Sequence, residues 1–118
     1  MKIVDIKIEK IRIHLKKPFK IAFAVQDYAD NVIIKVITDE GIYGLGEAAP
    51  FSPVTGETVD SVISTLNMFK EGLIGMDPLE IEKIHVLMDR LITGNSSAKA
   101  AIDIALFDIK GKVMGQPL

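Results

Sequence analysis

The chain has no cysteine and no tryptophan, only two histidines among 118 residues, and few aromatics of any kind. Without cysteine there is neither a disulfide frame nor a thiolate metal site, and a reducing, cytoplasmic setting is the expectation. No apolar run approaches the roughly 18 residues that cross a bilayer, and the opening MKIVDIKIEK alternates charge with apolar residues, so neither a membrane span nor a signal peptide is expected. Histidines 14 and 85 stand far apart without a carboxylate at ligand spacing, so no metal site is expected in the chain. Basic residues are scattered and the formal net charge is -2, which removes nucleic acid from the expected partners.

What is present is hydrophobic patterning. At 48% hydrophobic residues, the length suits one compact domain. Apolar residues alternate at Val4, Ile6 and Ile8 and then, with parity slipped by one, at Ile11, Ile13 and Leu15. That pattern predicts a strand over 3–15 with a bulge at Glu9 and Lys10. A β-branched run over 31–38, a turn at Asp39-Glu40-Gly41 and a return over 42–48 complete a three-stranded antiparallel meander. The segment Lys17 to Asp30 has no clear period and is expected as a long loop.

Beyond Pro53 the period becomes helical. Val59, Val62, Ile63, Leu66, Phe69 and Leu73 form the apolar stripe of a first helix that ends near Gly75. Asp77-Pro78-Leu79-Glu80 predicts the start of a second helix, with Asp77 as N-cap and Pro78 at the first helical position. Its buried face is expected at Ile81, Ile84, Leu87 or Met88, and Leu91, and Thr93-Gly94 ends it. Asn95-Ser96-Ser97 caps a third. The fold class is therefore α+β, a three-stranded antiparallel meander followed by three helices.

The third helix is apolar on two sides. Ala98, Ala101, Ile102, Ala105, Leu106, Ile109 and Val113 share one face, while Ala100, Ile104, Phe107, Gly111 and Met114 share the opposite one. A small sheet covers one stripe only. Either the first two helices wrap the third, or Ile104, Phe107 and Met114 form an interface with another domain or with a second copy of the chain.

Motifs with chemical meaning are scarce. Gly44-x-Gly46-x-x-Ala49 matches a dinucleotide fingerprint in form, but it lies in a strand that runs into Pro50, with no helix start to receive a pyrophosphate. Gly44, Gly46 and Ala48 share a strand face, where small residues admit a neighbouring backbone. Asp103 and Asp108 lie on different seams of the third helix and cannot face each other as an acid and base pair. No catalytic constellation is expected within the chain.

Read together, Lys17-Pro18-Phe19-Lys20, Gly44-Leu45-Gly46-Glu47-Ala48, Pro53-Val54-Thr55-Gly56-Glu57, Leu91-Ile92-Thr93-Gly94-Asn95 and Ser97-Ala98-Lys99-Ala100-Ala101-Ile102-Asp103 carry a resemblance. Over its whole length the chain resembles the N-terminal capping domain of dipeptide epimerases, in the muconate-lactonizing branch of the enolase superfamily. The resemblance implies that residues 1–118 are this capping domain and that a C-terminal (β/α) barrel, absent from the chain, is its partner. Three barrel carboxylates would hold Mg²⁺, and two barrel lysines would remove and return the α-proton of a dipeptide substrate, leaving the domain inert alone and without a cofactor of its own.

By the same resemblance, two segments, Lys17 to Asp30 and Pro50 to Glu57, would close over the substrate. Phe19, Ile21, Phe23, Val54, Thr55 and Gly56 are the expected substrate-facing residues. Family members acting on Ala-Glu often carry an arginine in the first segment, where this chain has Ala24, so an uncharged or hydrophobic dipeptide is the expectation. The same domain serves N-acylamino-acid racemases, o-succinylbenzoate synthases and cycloisomerases. A free-standing, self-associating binding module is the alternative from a different class.

Overall fold

A computed structural model describes residues 1–21, 24–49 and 58–115, and the side chains of 13–29 lie outside that description. Strands β1 (Ile3–Ile21), β2 (Ala24–Thr38) and β3 (Tyr43–Ala48) form an antiparallel sheet in the order β1-β2-β3. Helices α1 (Val59–Leu73), α2 (Ile81–Leu91) and α3 (Ser96–Val113) follow. The expected α+β meander with three helices is the observed fold.

The strands differ from expectation in two places. Segment 17–30, expected as a loop, is mostly ladder: β1 pairs with β2 from Phe19 opposite Gln26 to Ile21 opposite Ala24. Register is also unbroken from Asp5 opposite Ile37 to His14 opposite Tyr28, so there is no bulge at Glu9 and Lys10; the irregularities lie between Ile3 and Asp5 and between His14 and Phe19. The first moves Ile3 to the core and leaves Val4 48% exposed. The cause of the apolar parity change lies in the sheet's outline. β3 stops at Ala48 opposite Val32, so β1 and β2 continue past it as a two-stranded ribbon, where no third strand fixes which face is inner.

Helix α1 begins at a reciprocal cap: Ser61 N–H donates to the Thr58 hydroxyl at 3.0 Å, and Thr58 N–H donates to Ser61 Oγ at 2.9 Å. It buries Val62, Leu66, Phe69 and Leu73, and also Thr65, which the hydrophobic pattern passes over. The Thr65 hydroxyl lies 2.9 Å from the Ser61 carbonyl and 3.2 Å from Asn95 Oδ1, so this buried polar group is satisfied.

Helix α2 starts later than expected, at Ile81. Asp77 caps a turn instead of the helix: its Oδ1 accepts from Leu79 N–H at 2.9 Å and its carbonyl from Glu80 N–H at 3.1 Å, with Pro78 in the position its fixed φ suits. Ile84 and Met88 are buried, whereas Leu91, expected inside, is 38% exposed because it ends the helix.

Helix α3 buries Ala98, Ala101, Ile102, Ala105, Leu106 and Ile109 as expected. It lies directly on β3. A Cβ added to Gly44 would stand 2.0 Å from the Ala105 carbonyl oxygen, and one added to Gly46 would stand 2.0 Å from that of Ala101. Val113, assigned to the inner face, is 43% exposed, since it lies one turn past Ile109, which packs over Gly44 near the start of β3. Gly111, assigned to the outer face, is buried: a glycine exposes only backbone, and Phe107 and Met114 flank it at helical spacing.

Replacing Gly46 with alanine therefore forces the helix off the sheet. The expected cost is about 3 kcal/mol or more, read as a lower midpoint in urea unfolding; an unchanged midpoint would contradict the close approach.

Candidate functional site

The sheet ends that lead to the two segments expected to face substrate point in the same direction. The first is the end of the β1-β2 ribbon, which reaches eight residues past the Val32–Ala48 pair to Ala24, or about 25 Å at strand rise. The second follows the C-terminal end of β3, whose last residue is Ala48. Phe19 and Ile21 sit in the ladder of that ribbon. Phe23, Val54, Thr55 and Gly56 lie outside the described residues.

The root of the ribbon carries a cross-strand ion pair. Arg12 and Asp30 are register partners, and Arg12 donates from Nε at 2.7 Å and from Nη2 at 3.0 Å to the two carboxylate oxygens. This fork geometry fixes the relative slide of the strands. The hydrogen bond from Arg12, with its charge, holds the Asp30 carboxyl below the usual carboxylate range. A depressed folded-state value supports the fold above the ordinary carboxylate pKa, and that support is lost as pH falls through the depressed value.

The residues expected at an interface are exposed on α3: Ile104 at 51%, Phe107 at 40% and Met114 at 60%. Phe107 also borders a shallow groove with Leu79, Ile81 and Lys83 at the start of α2. Helices α1 and α2 thus leave the outer stripe of α3 open.

Between these regions, α3 clasps the edge of the sheet. Asp108 Oδ2 accepts from the Leu45 N–H at 2.9 Å, and Lys112 Nζ donates to the Tyr43 carbonyl at 2.6 Å while lying 3.3 Å from Asp108. The Tyr43 ring is flanked by the ammonium groups of Lys35 at 4.2 Å and Lys112 at 4.1 Å. The sequence signal for the clasp is the Asp108-to-Lys112 spacing of four on a helix, though nothing local shows that the pair would reach a strand edge.

Asp103 also finds a partner, His85 Nε2 at 2.7 Å, across the α2-α3 seam, and Lys99 joins Asp89 at 2.9 Å beside it. Among the described residues, no group of three His, Asp or Glu side chains could hold a metal ion, so these residues do not fit a magnesium site. No helix of the described residues is long and apolar enough to cross a membrane.

The layered meander and helices are those of an enolase-type N-terminal domain. Residues 3–118 match the mandelate racemase / muconate lactonizing enzyme N-terminal domain, and the chain belongs to that family. It is 46% identical, over its whole length and 32% of the relative, to the N-succinyl-L-Arg/Lys racemase of Bacillus cereus. Identity to the L-Ala-D/L-Glu epimerase of Clostridium acetobutylicum is 43%, over the whole chain and 33% of that relative. A crystal structure of the dipeptide epimerase from Enterococcus faecalis, complexed with Mg and the dipeptide L-Leu-L-Tyr, is similar with a TM-score of 0.93 and 39% identity, over 97% of this chain and 32% of that one. The chain spans about a third of the length of these relatives.

Two substitutions test the geometry. Asp108→Ala leaves the Leu45 N–H without its acceptor and is expected to lower unfolding stability by about 1 to 2 kcal/mol. Asp30→Asn removes the charge that Arg12 holds, so acid unfolding below about pH 4 becomes less steep than in the parent; identical acid limbs would show that the pair does not support the fold.

Proposed function

We propose that this chain is the capping and specificity domain of a magnesium-dependent dipeptide epimerase, which moves a proton at the α-carbon of one residue of a dipeptide. The observation that carries the reading is similarity over the whole chain to racemases and epimerases of one family, at 39 to 46% identity. In this reading, magnesium and the proton-transferring lysines belong to a C-terminal barrel, and the chain's own residues bind and exclude water. Magnesium, when bound, supplies positive charge that makes the α-proton acidic.

The chain's part follows from its shape. Ile104, Phe107 and Met114 dock against the barrel, which removes their apolar surface from water. The ribbon carrying Phe19, Ile21 and Phe23 and the segment carrying Val54, Thr55 and Gly56 then close over the substrate. Ala24 in the first segment leaves no guanidinium for an acidic side chain, which favours an uncharged or hydrophobic dipeptide.

A second reading has its own support. The 46% identity to an N-succinyl amino-acid racemase favours an acylated amino acid as substrate for the same proton transfer. The test is α-proton exchange in deuterated water, followed by NMR, for the enzyme in which this domain is joined to its barrel. Exchange on hydrophobic dipeptides at a kcat/KM at least tenfold above that on Ala-Glu and on N-succinyl-arginine is expected. Preference for Ala-Glu overturns the specificity reading, and preference for the succinylated substrate selects the second. The 118-residue chain with Mg²⁺ is expected to exchange nothing, and turnover by it would overturn the assignment of chemistry to the barrel.

A further inference from the structure

The sheet has two outer strands, and they are protected differently. Along β1 the exposed residues from Lys7 to Arg12 are all charged: Lys7, Glu9, Lys10 and Arg12. The start of β1 is already paired, since Ile3 exchanges two 2.8 Å hydrogen bonds with Gly75 and Met76, and Ile6 N–H donates to Asp5 Oδ1. Charge and paired backbone both discourage a further strand. On β3 the exposed residues are Tyr43, Leu45 and Glu47, so a single charge stands at its far end. Tyr43 and Leu45 present apolar surface instead, at 39% and 47% exposure.

Alternate residues of a strand direct their N–H and C=O groups to opposite sides. Lys112 and Asp108 reach the Tyr43 carbonyl and the Leu45 N–H, so Tyr43, Leu45 and Glu47 are the residues whose backbone points away from β2. A carbonyl and the N–H two residues on are the pair that one residue of a parallel fourth strand would bond. The Asp108 carboxylate supplies that residue's acceptor at 2.9 Å, and the Lys112 ammonium supplies its donor at 2.6 Å. These side chains, four residues apart on α3 and 3.3 Å from each other, thus stand in the place of a peptide. Lys112 also lies 4.1 Å from the Tyr43 ring, which sets a charge beside the apolar edge.

We propose that Asp108 and Lys112 close the β3 edge to strand addition, a guard without which copies of the chain pair through that edge. The guard depends on no catalytic role for the domain, and its removal is read without a catalytic assay.

The test is the infrared signal of intermolecular strands over a concentration series, a signal that association through the side chains of α3 does not produce. In the Asp108→Ala, Lys112→Ala chain it is expected at concentrations about tenfold or more below any that produce it in the parent. Val62→Ala controls for lost stability, because it truncates a buried side chain and leaves the clasp in place; it is expected to behave as the parent does. Adding Leu45→Pro to the open chain gives up an N–H that points away from β2, and is expected to abolish the signal while circular dichroism stays at the parent value. An open chain whose signal appears no earlier than the parent's would overturn the proposal. So would an equal gain in Val62→Ala, or a gain that the folded Leu45→Pro chain retains, since each would place the association elsewhere than the edge.

Discussion

At Gly44 and Gly46 the main chain of β3 and the main chain of α3 meet with no side chain between them. Two residues along a strand advance about 6.7 Å and four residues of helix about 6 Å, so glycines two apart on the strand match carbonyls four apart on the helix, first Ala105 and then Ala101. This match fixes the helix at one height along the strand and at one distance from it. The clasp from Asp108 to Leu45 and from Lys112 to Tyr43 depends on that distance, because short side chains span from helix to strand edge only when the axes are close. The same contact leaves α1 to pack on β1, β2 and the buried stripe of α3, with α2 against the other two helices.

The meander, the three helices and the inner stripe of α3 were all legible in the sequence, because period-two and period-3.6 patterns report which side of an element is dry. So was the purpose of the glycines, since a strand with Gly44, Gly46 and Ala48 on one face has little to bury except a neighbour's backbone. Patterning failed where burial stops informing the residue choice. The ribbon from Phe19 to Gln26 read as loop because only two strands share it, and Asp77 read as a helix cap because an aspartate before proline serves a turn equally well.

The candidate site was legible in outline only. Ile104, Phe107 and Met114 were identifiable as outward-facing apolar residues, and they are exposed. The polar contacts were not. His85 with Asp103, Thr65 with Asn95 and Asp108 with Leu45 each join residues 18 to 63 positions apart, and a titratable residue on a helix seam looks the same in sequence whether it meets water or another element. Asn95, the non-glycine described residue with positive φ at 53°, stands at the start of α3 where a cap was expected, but its side chain makes no cap hydrogen bond; its Oδ1 meets the buried Thr65 hydroxyl instead, a contact nothing local signals.

The ribbon beyond Val32 is a lever whose fulcrum is the Arg12–Asp30 fork and whose arm, six residues to Ala24, is about 20 Å long. Strand pairs twist readily, and a change of about 5° at the fulcrum swings the far end by about 2 Å, more than the difference in length between neighbouring aliphatic side chains. The reach of the ribbon is thus set partly by residues at its root. On the specificity role proposed for the ribbon, selectivity is adjustable from a distance, by exchanging residues at the hinge of the arm and leaving those at its end alone.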